Sequence, residues 1–157
     1  MVINFVQKVK AVDNESGYSH TGIIMDFYGA TLEALWTVKT QNIFDAYKGE
    51  KVLIVRNKNM TLPVFVAGIA KIKEHIGQWY PAPRLFFHLL GMGKFIHWDR
   101  VVCSELTAKF EAGCAEYIGP DRAHGYMRNY YGVNPDNLVD RWTISRYYET
   151  IFEGVVE

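Results

Sequence analysis

Residues 101–114 have the sequence Val-Val-Cys-Ser-Glu-Leu-Thr-Ala-Lys-Phe-Glu-Ala-Gly-Cys, in which two apolar valines precede a stretch of mostly helix-forming residues. Within this segment Leu106, Phe110 and Cys114 recur every fourth position, which places them on one face of a helix. The segment therefore predicts a long helix that begins near Cys103 and packs its apolar face against the rest of the fold.

Both cysteines of the chain fall on this helix, eleven positions apart. That separation corresponds to a rise of about 16 Å, whereas a disulfide needs Cα atoms within about 7 Å, so the two cannot pair with each other. Cys114 lies mid-helix on the apolar face and is expected to be a small buried hydrophobic residue. Cys103 lies in the first turn, where free N–H groups and the positive end of the helix dipole favour a thiolate. Position alone leaves a buried side chain and a nucleophile both open for Cys103. With neither a Cys-x-x-Cys pair nor a third cysteine, we expect no metal site and no cofactor.

A cysteine nucleophile needs a base, usually histidine, and a third group that orients the ring. Of the five histidines, His75 is expected on the solvated side of its helix. His20 instead falls in an apolar strand that precedes a turn at Asp26–Gly29. If that turn is a four-residue hairpin loop, Gly22 faces Glu33, and His20 is a diagonal neighbour of Glu33 on the same face of the sheet. We expect that face to meet the start of the Cys103 helix. An odd loop would separate the two side chains, and Glu33 would then lie simply on the solvent face.

The hydrophobic periodicity along the rest of the chain predicts an α+β fold with an antiparallel sheet, in a single domain over 1–157. Helices are expected from a cap at Thr61 to Gly77, from Cys103 to Cys114 and from Pro135 to about Trp142, with a partly helical excursion over 79–98. Strands are expected over 2–12, 18–25, 30–38, 51–56 and 144–155.

Composition excludes several classes of protein. Seventeen basic and 17 acidic residues give a net charge of zero, so a nucleic-acid partner is not expected. The longest apolar run, Leu62–Ala70, is far shorter than the roughly 20 residues of a membrane-spanning helix. The N-terminus lacks the pattern of a signal peptide. We therefore expect a cytoplasmic protein, with release by lysis or incorporation in a phage particle as the alternative. The sequence does not indicate an oligomeric state.

Three segments carry a family resemblance: Tyr18-Ser-His-Thr-Gly-Ile-Ile, Leu32-Glu-Ala and Val102-Cys-Ser-Glu-Leu. In this order they resemble the circularly permuted branch of the NlpC-type papain-like hydrolases, the YiiX/YaeF-like proteins. The resemblance implies a papain-like core whose antiparallel sheet packs against the cysteine helix. It also implies that Cys103 is the nucleophile, His20 the base and Glu33 the orienting carboxylate, the same three residues that helix position and strand parity single out.

Three functions follow as hypotheses. The first is a cysteine peptidase or amidase that cleaves an amide bond, in a peptide or a peptidoglycan fragment, through an acyl-enzyme on Cys103. The second is a lipid-directed acyl hydrolase or acyltransferase of the same fold. The third is a non-catalytic structural or binding module, for example a phage particle component. All three triad positions are filled, which favours an enzyme.

Overall fold

The structure, a computed structural model, describes residues 3–8, 20–35, 37–79, 103–130, 133 and 135–157. Six strands in these ranges form one antiparallel sheet with the order β4-β3-β2-β1-β5-β6. The strands are β1 (Ile3–Lys8), β2 (His20–Ile24), β3 (Ala30–Ala34), β4 (Val38–Asn42), β5 (Lys51–Asn57) and β6 (Tyr148–Val155). The α-helices of the described ranges are α1 (Ile43–Ala46), α2 (Leu62–Ile72), α3 (Cys103–Ile118) and α4 (Pro135–Ile144). The predicted α+β class and antiparallel sheet are confirmed.

The β2–β3 hairpin has the loop length that the sequence predicts. Asp26 closes the loop because its Oδ1 accepts hydrogen bonds from the backbone N–H groups of Tyr28 and Ala30, at 2.9 and 3.0 Å. Gly29 adopts φ +87°, a conformation that a residue with a Cβ adopts only under strain. The register pairs Ile23 with Leu32, as a four-residue loop requires, so Glu33 and His20 share a face.

Elements α2 and α3 cover one face of the sheet and form the main core with it. Buried Ile23 and Leu32 of the sheet belong to the same cluster as Val64 and Ile72 of α2 and Phe110 of α3. The two helices approach closely at Gly68 and Gly113, where an added Cβ would lie 2.5 Å from the Phe110 ring and 2.6 Å from the Lys71 Cβ, respectively. Helix α4 packs beside them on β5 and β6, around Trp142 and Tyr148.

The opposite face of the sheet carries a smaller cluster around Tyr47, with Ile24 and Val52 from the sheet and Ile43 from α1. Alternation along β2 explains the division, because Ile23 points to the helices and Ile24 points away from them. His20 has the parity of Ile24, and the register places Glu33 opposite Gly22, which has the same parity. The side chains of His20 and Glu33 therefore lie on the Tyr47 face rather than beneath the body of α3.

Several predicted boundaries are wrong. The single strand expected over 30–38 ends at Ala34, and a separate edge strand begins at Val38. Strand β4 escaped prediction because it is polar and partly exposed, with no apolar alternation. The last strand begins at Tyr148, and Ile144 instead ends α4. Thr61 occupies the N-cap position of α2, but its side chain makes no capping hydrogen bond.

Other expectations fall partly outside the described residues. The strand expected over 2–12 is confirmed for Ile3–Lys8, and 9–12 lie outside the described ranges, as do 18–19 and 80–98. None of the helices in the described ranges is long and apolar enough to cross a membrane.

His75 is buried rather than solvated. Helix α2 ends at Ile72, and the following 3₁₀ turn, Lys73–His75, rotates the side chain away from its helical direction. Its Nδ1 lies 2.9 Å from Gln78 Oε1, and its Nε2 contacts the Lys109 ammonium group of α3.

Candidate active site

His20 and Glu33 form a direct hydrogen bond across the β2–β3 hairpin. His20 is the first residue of β2, and Glu33 lies near the end of β3. The distance from His20 Nε2 to Glu33 Oε2 is 2.8 Å. The diagonal pairing expected from strand parity is therefore confirmed, and because Nε2 is held by the carboxylate, Nδ1 is the ring nitrogen left to serve another partner.

Glu33 is a wholly buried carboxylate, with 0% of its surface exposed. Besides His20, it accepts hydrogen bonds from the Thr31 hydroxyl, from Gln41 Nε2 at 3.1 Å and from the Tyr47 hydroxyl. Burial alone would raise the pKa of Glu33, but the bonds from His20, Thr31 and Tyr47 and the charge of His20 lower it below the ordinary value. Glu33 is thus a stable anion in the interior.

Cys103 is the first residue of α3, and its thiol meets the imidazole of His20. The sulfur is almost buried, with 8% of the residue exposed. It is hydrogen-bonded to the His20 ring and to the backbone N–H groups of Thr21 and Ser104. Burial would raise the pKa of Cys103, but the charge of His20 and these hydrogen bonds lower it.

The pKa of His20 is shifted in the opposite direction to that of Cys103. Burial would lower its pKa, but the charge and hydrogen bond of Cys103, followed by those of Glu33, raise it to about 10. The two shifts favour the ion pair of Cys103 thiolate and His20 imidazolium over the neutral pair, with Glu33 behind the ring. The three side chains thus follow one another in the order thiol, imidazole, carboxylate.

The thiol reaches His20 because strand and helix both begin at the site. The Thr21 side chain points to α3, where its hydroxyl lies 3.3 Å from that of Thr107. This contact sets the first turn of α3 against the start of β2, so that Cys103 lies beside the Thr21 backbone and the His20 ring. The expected meeting of His20 with the start of α3 is confirmed, although the body of α3 packs on the other face of the sheet.

Cys114 has the environment expected of a buried hydrophobic residue. It is fully buried between α2 and α3, and its sulfur lies 3.5 Å from the Val64 carbonyl oxygen. Burial, together with the charge of Glu111, raises its pKa above the ordinary thiol value. The pKa values of the two cysteines on this helix are therefore shifted in opposite directions.

The groups around Glu33 are the part of the site that sequence reasoning missed. Thr31 could have been found, because it precedes Glu33 by two positions on a strand and so points the same way. Gln41 lies on the unpredicted strand β4. Tyr47 caps the C-terminus of the unpredicted helix α1, so neither residue could be placed beside Glu33 in advance.

Comparison with known proteins gives a fold rather than a family. The chain matches no protein-family model and no curated protein. Among solved structures it is similar to the metalloprotein YiiX of Escherichia coli O157:H7, with a TM-score of 0.65 and 15% sequence identity. The match covers 98% of this chain and 96% of YiiX. The chain thus has a YiiX-like fold over almost its whole length.

Proposed function

We propose that this protein is a cysteine hydrolase of the permuted NlpC-type, papain-like kind, acting on an amide bond through an acyl-enzyme on Cys103. The observation that carries the proposal is the hydrogen-bonded chain from the Cys103 thiol through His20 to the buried Glu33 carboxylate. Its geometry and charge match the needs of nucleophilic acyl transfer.

The first half of the reaction forms the acyl-enzyme. The Cys103 thiolate attacks the carbonyl carbon, and N–H groups at the start of α3 stabilise the developing oxyanion. As the tetrahedral intermediate collapses, the C–N bond breaks and the His20 imidazolium gives its proton to the leaving amine. Glu33 holds the ring through Nε2 while Nδ1 faces the reaction.

The second half releases the acid. Neutral His20 removes a proton from water, and the resulting hydroxide attacks the thioester carbon. The C–S bond breaks, which restores the thiolate, and His20 keeps the proton it has taken. The carboxylic acid leaves, and the ion pair is ready for the next amide.

The similar protein YiiX is a metalloprotein, which raises the question of whether the site in this chain could hold a metal. Among the described residues, no group of three or more His, Cys, Asp or Glu side chains is placed to bind a metal ion. The Glu33 oxygens already accept bonds from four side chains. Cys103, His20 and Glu33 therefore do not fit a metal site, and the proposed reaction uses only these protein groups and water.

Intact-mass spectrometry tests both the formation of an acyl-enzyme and the class of substrate that supplies the acyl group. The protein is incubated separately with an amidated peptidoglycan fragment and with a phospholipid, and a trapped acyl group is located by peptide mapping. We expect an adduct on Cys103 with the peptide fragment, present in Cys114→Ala and absent in Cys103→Ala. An adduct with the phospholipid instead identifies the lipid-directed alternative.

No adduct with either substrate, and no release of amine or acid, would contradict the proposal and favour a non-catalytic module. Folding of Cys103→Ala must be checked in parallel, by circular dichroism. Replacement of this small side chain is expected to cost about 1 kcal/mol of unfolding free energy.

A further inference from the structure

Tyr47 contacts both His20 and Glu33. It is 4% exposed and caps the C-terminus of α1. Its hydroxyl bonds to Glu33 Oε2 and lies 3.2 Å from Gln41 Nε2. Because the Gln41 Nε2 amide nitrogen can only donate, the phenol oxygen accepts from Gln41 and the phenol directs its own proton to Glu33.

The aromatic ring of Tyr47 also packs against the base. The centroids of the Tyr47 and His20 rings are 6.1 Å apart, with an angle of 30° between the planes. The Tyr47 ring therefore restrains the His20 imidazole by stacking, and the Tyr47 hydroxyl restrains the Glu33 carboxylate through a hydrogen bond. Thr31 and Gln41 also contact Glu33, through hydrogen bonds from their side chains.

We propose that Tyr47 is a positioning residue that keeps the Glu33 carboxylate on His20 Nε2 and thereby holds Cys103 as a thiolate. This inference rests on the proposed function, and it assigns to the site a fourth residue beyond the cysteine, histidine and glutamate. Tyr47 touches no reacting atom in this scheme and acts only through Glu33 and His20.

The Tyr47 hydroxyl affects the position of Glu33 because Gln41 and His20 both bond to the same carboxylate oxygen, Oε2. Without the Tyr47 hydroxyl, Gln41 loses an acceptor and becomes free to draw the carboxylate to itself. The bond from His20 Nε2 then lengthens, and the imidazolium loses part of its stabilisation. Since the imidazolium is a main cause of the lowered thiol pKa, the pKa of Cys103 should rise.

The test is the pH profile of Cys103 alkylation by iodoacetamide in Tyr47→Phe, which keeps the ring and removes only the hydroxyl. We expect the apparent thiol pKa to rise by on the order of one unit, so that alkylation below that pKa slows about tenfold. The matched control is Tyr148→Phe. Tyr148 also donates a hydrogen bond to a buried glutamate, Glu111 Oε1 at 2.8 Å, on the helix that carries Cys103.

Both variants should lose some thermal stability, but only Tyr47→Phe should shift the profile. An unchanged profile in Tyr47→Phe would show that the residue merely packs, and a lower thiol pKa would show that its hydroxyl competes with His20 for Glu33; either result overturns the inference. A wild-type profile without a lowered thiol pKa would instead contradict the proposed catalytic pair itself. If Tyr47→Phe does not fold, Tyr47→Met serves in its place, because this flexible apolar side chain also lacks the hydroxyl. It should raise the thiol pKa in the same direction, and an unchanged profile there would overturn the inference too.

Discussion

At the scale of single residues, the two cysteines differ in chemistry because the same helix places them in different electrostatic surroundings. The pKa of Cys103 is lowered by His20 and by backbone donors, whereas that of Cys114 is raised by burial and by Glu111. Only the thiolate is nucleophilic, so the difference predicts selective reaction.

Limited iodoacetamide treatment at neutral pH should label Cys103 and leave Cys114 unmodified. Labelling of Cys103 should decline on acidification, because the thiolate is protonated as the pH falls through its lowered pKa. Peptide mapping by mass spectrometry gives both measurements, and in denaturant both cysteines should react. Preferential labelling of Cys114 in the native protein would contradict the assignment of the nucleophile.

Substitutions in the triad should differ in severity. Cys103→Ala and His20→Ala should abolish turnover to similar extents, because residues that act as a unit are not additive. Glu33→Gln should lose less, since an amide oxygen can still accept the bond from the ring but cannot balance its charge. Side-by-side assays on the substrate found by mass spectrometry measure this; equal loss in folded Glu33→Gln would give Glu33 a more direct chemical part.

At the scale of elements, the contact between α2 and α3 depends on two glycines. A Cβ at Gly113 would lie 2.6 Å from the Lys71 Cβ, 3.0 Å from the Ala67 carbonyl oxygen and 3.1 Å from the Gly68 Cα. Two of these neighbours are backbone atoms, which cannot move without displacing a helix. Close helix packing therefore outweighs the usual cost of glycine in a helix.

Gly113→Ala should destabilise the protein by about 1–3 kcal/mol through overpacking, although alanine gains about 1 kcal/mol in helix propensity. Urea denaturation measures the net effect. Ala70→Gly, at an exposed position of α2, is the control that measures propensity alone. A Gly113→Ala variant more stable than wild type would show that the helices separate easily.

How far the elements could be predicted depended on how apolar they are. The hairpin, α3 and the start of α4 followed from alternation, helical spacing and the Asn-Pro-Asp signal, because those patterns report burial directly. Strand β4 and helix α1 are polar or very short, so they have no such pattern. The proximity of Cys103, His20 and Glu33 was predictable because they lie on strongly patterned elements, whereas Gln41 and Tyr47 lie on the elements that were missed.

At the scale of the whole molecule, buried Glu111 connects α3 with α4, β6 and the loop at Met127. Its carboxylate accepts bonds from Trp142 Nε1 and Tyr148 Oη, both at 2.8 Å, and from the Met127 N–H at 3.0 Å. Burial raises the pKa of Glu111 above its ordinary value of 4.5, even though these bonds and nearby Arg141 lower it in part. Its titration therefore affects the stability of the entire fold.

Because the folded pKa is raised, the protonated acid is favoured in the folded state, and its contribution to stability is complete below pH 4.5. That contribution is lost as the pH rises through the folded pKa. As the pH rises above 4.5, the free energy of unfolding of wild type should therefore fall relative to that of Glu111→Gln, whose amide does not titrate. Urea unfolding of both proteins across the pH range measures the difference; a constant difference would show that Glu111 has the same pKa folded and unfolded.

The arrangement of contacts around Glu33 also has a consequence for the order of folding. Its partners His20, Thr31, Gln41 and Tyr47 are at most 14 residues away along the chain. The Thr21–Thr107 contact between β2 and α3, in contrast, spans 86 residues. Closing short loops costs less chain entropy than closing long ones. We therefore expect His20 and Glu33 to assemble locally, and the Cys103 thiol to join them later, when α3 docks onto the sheet.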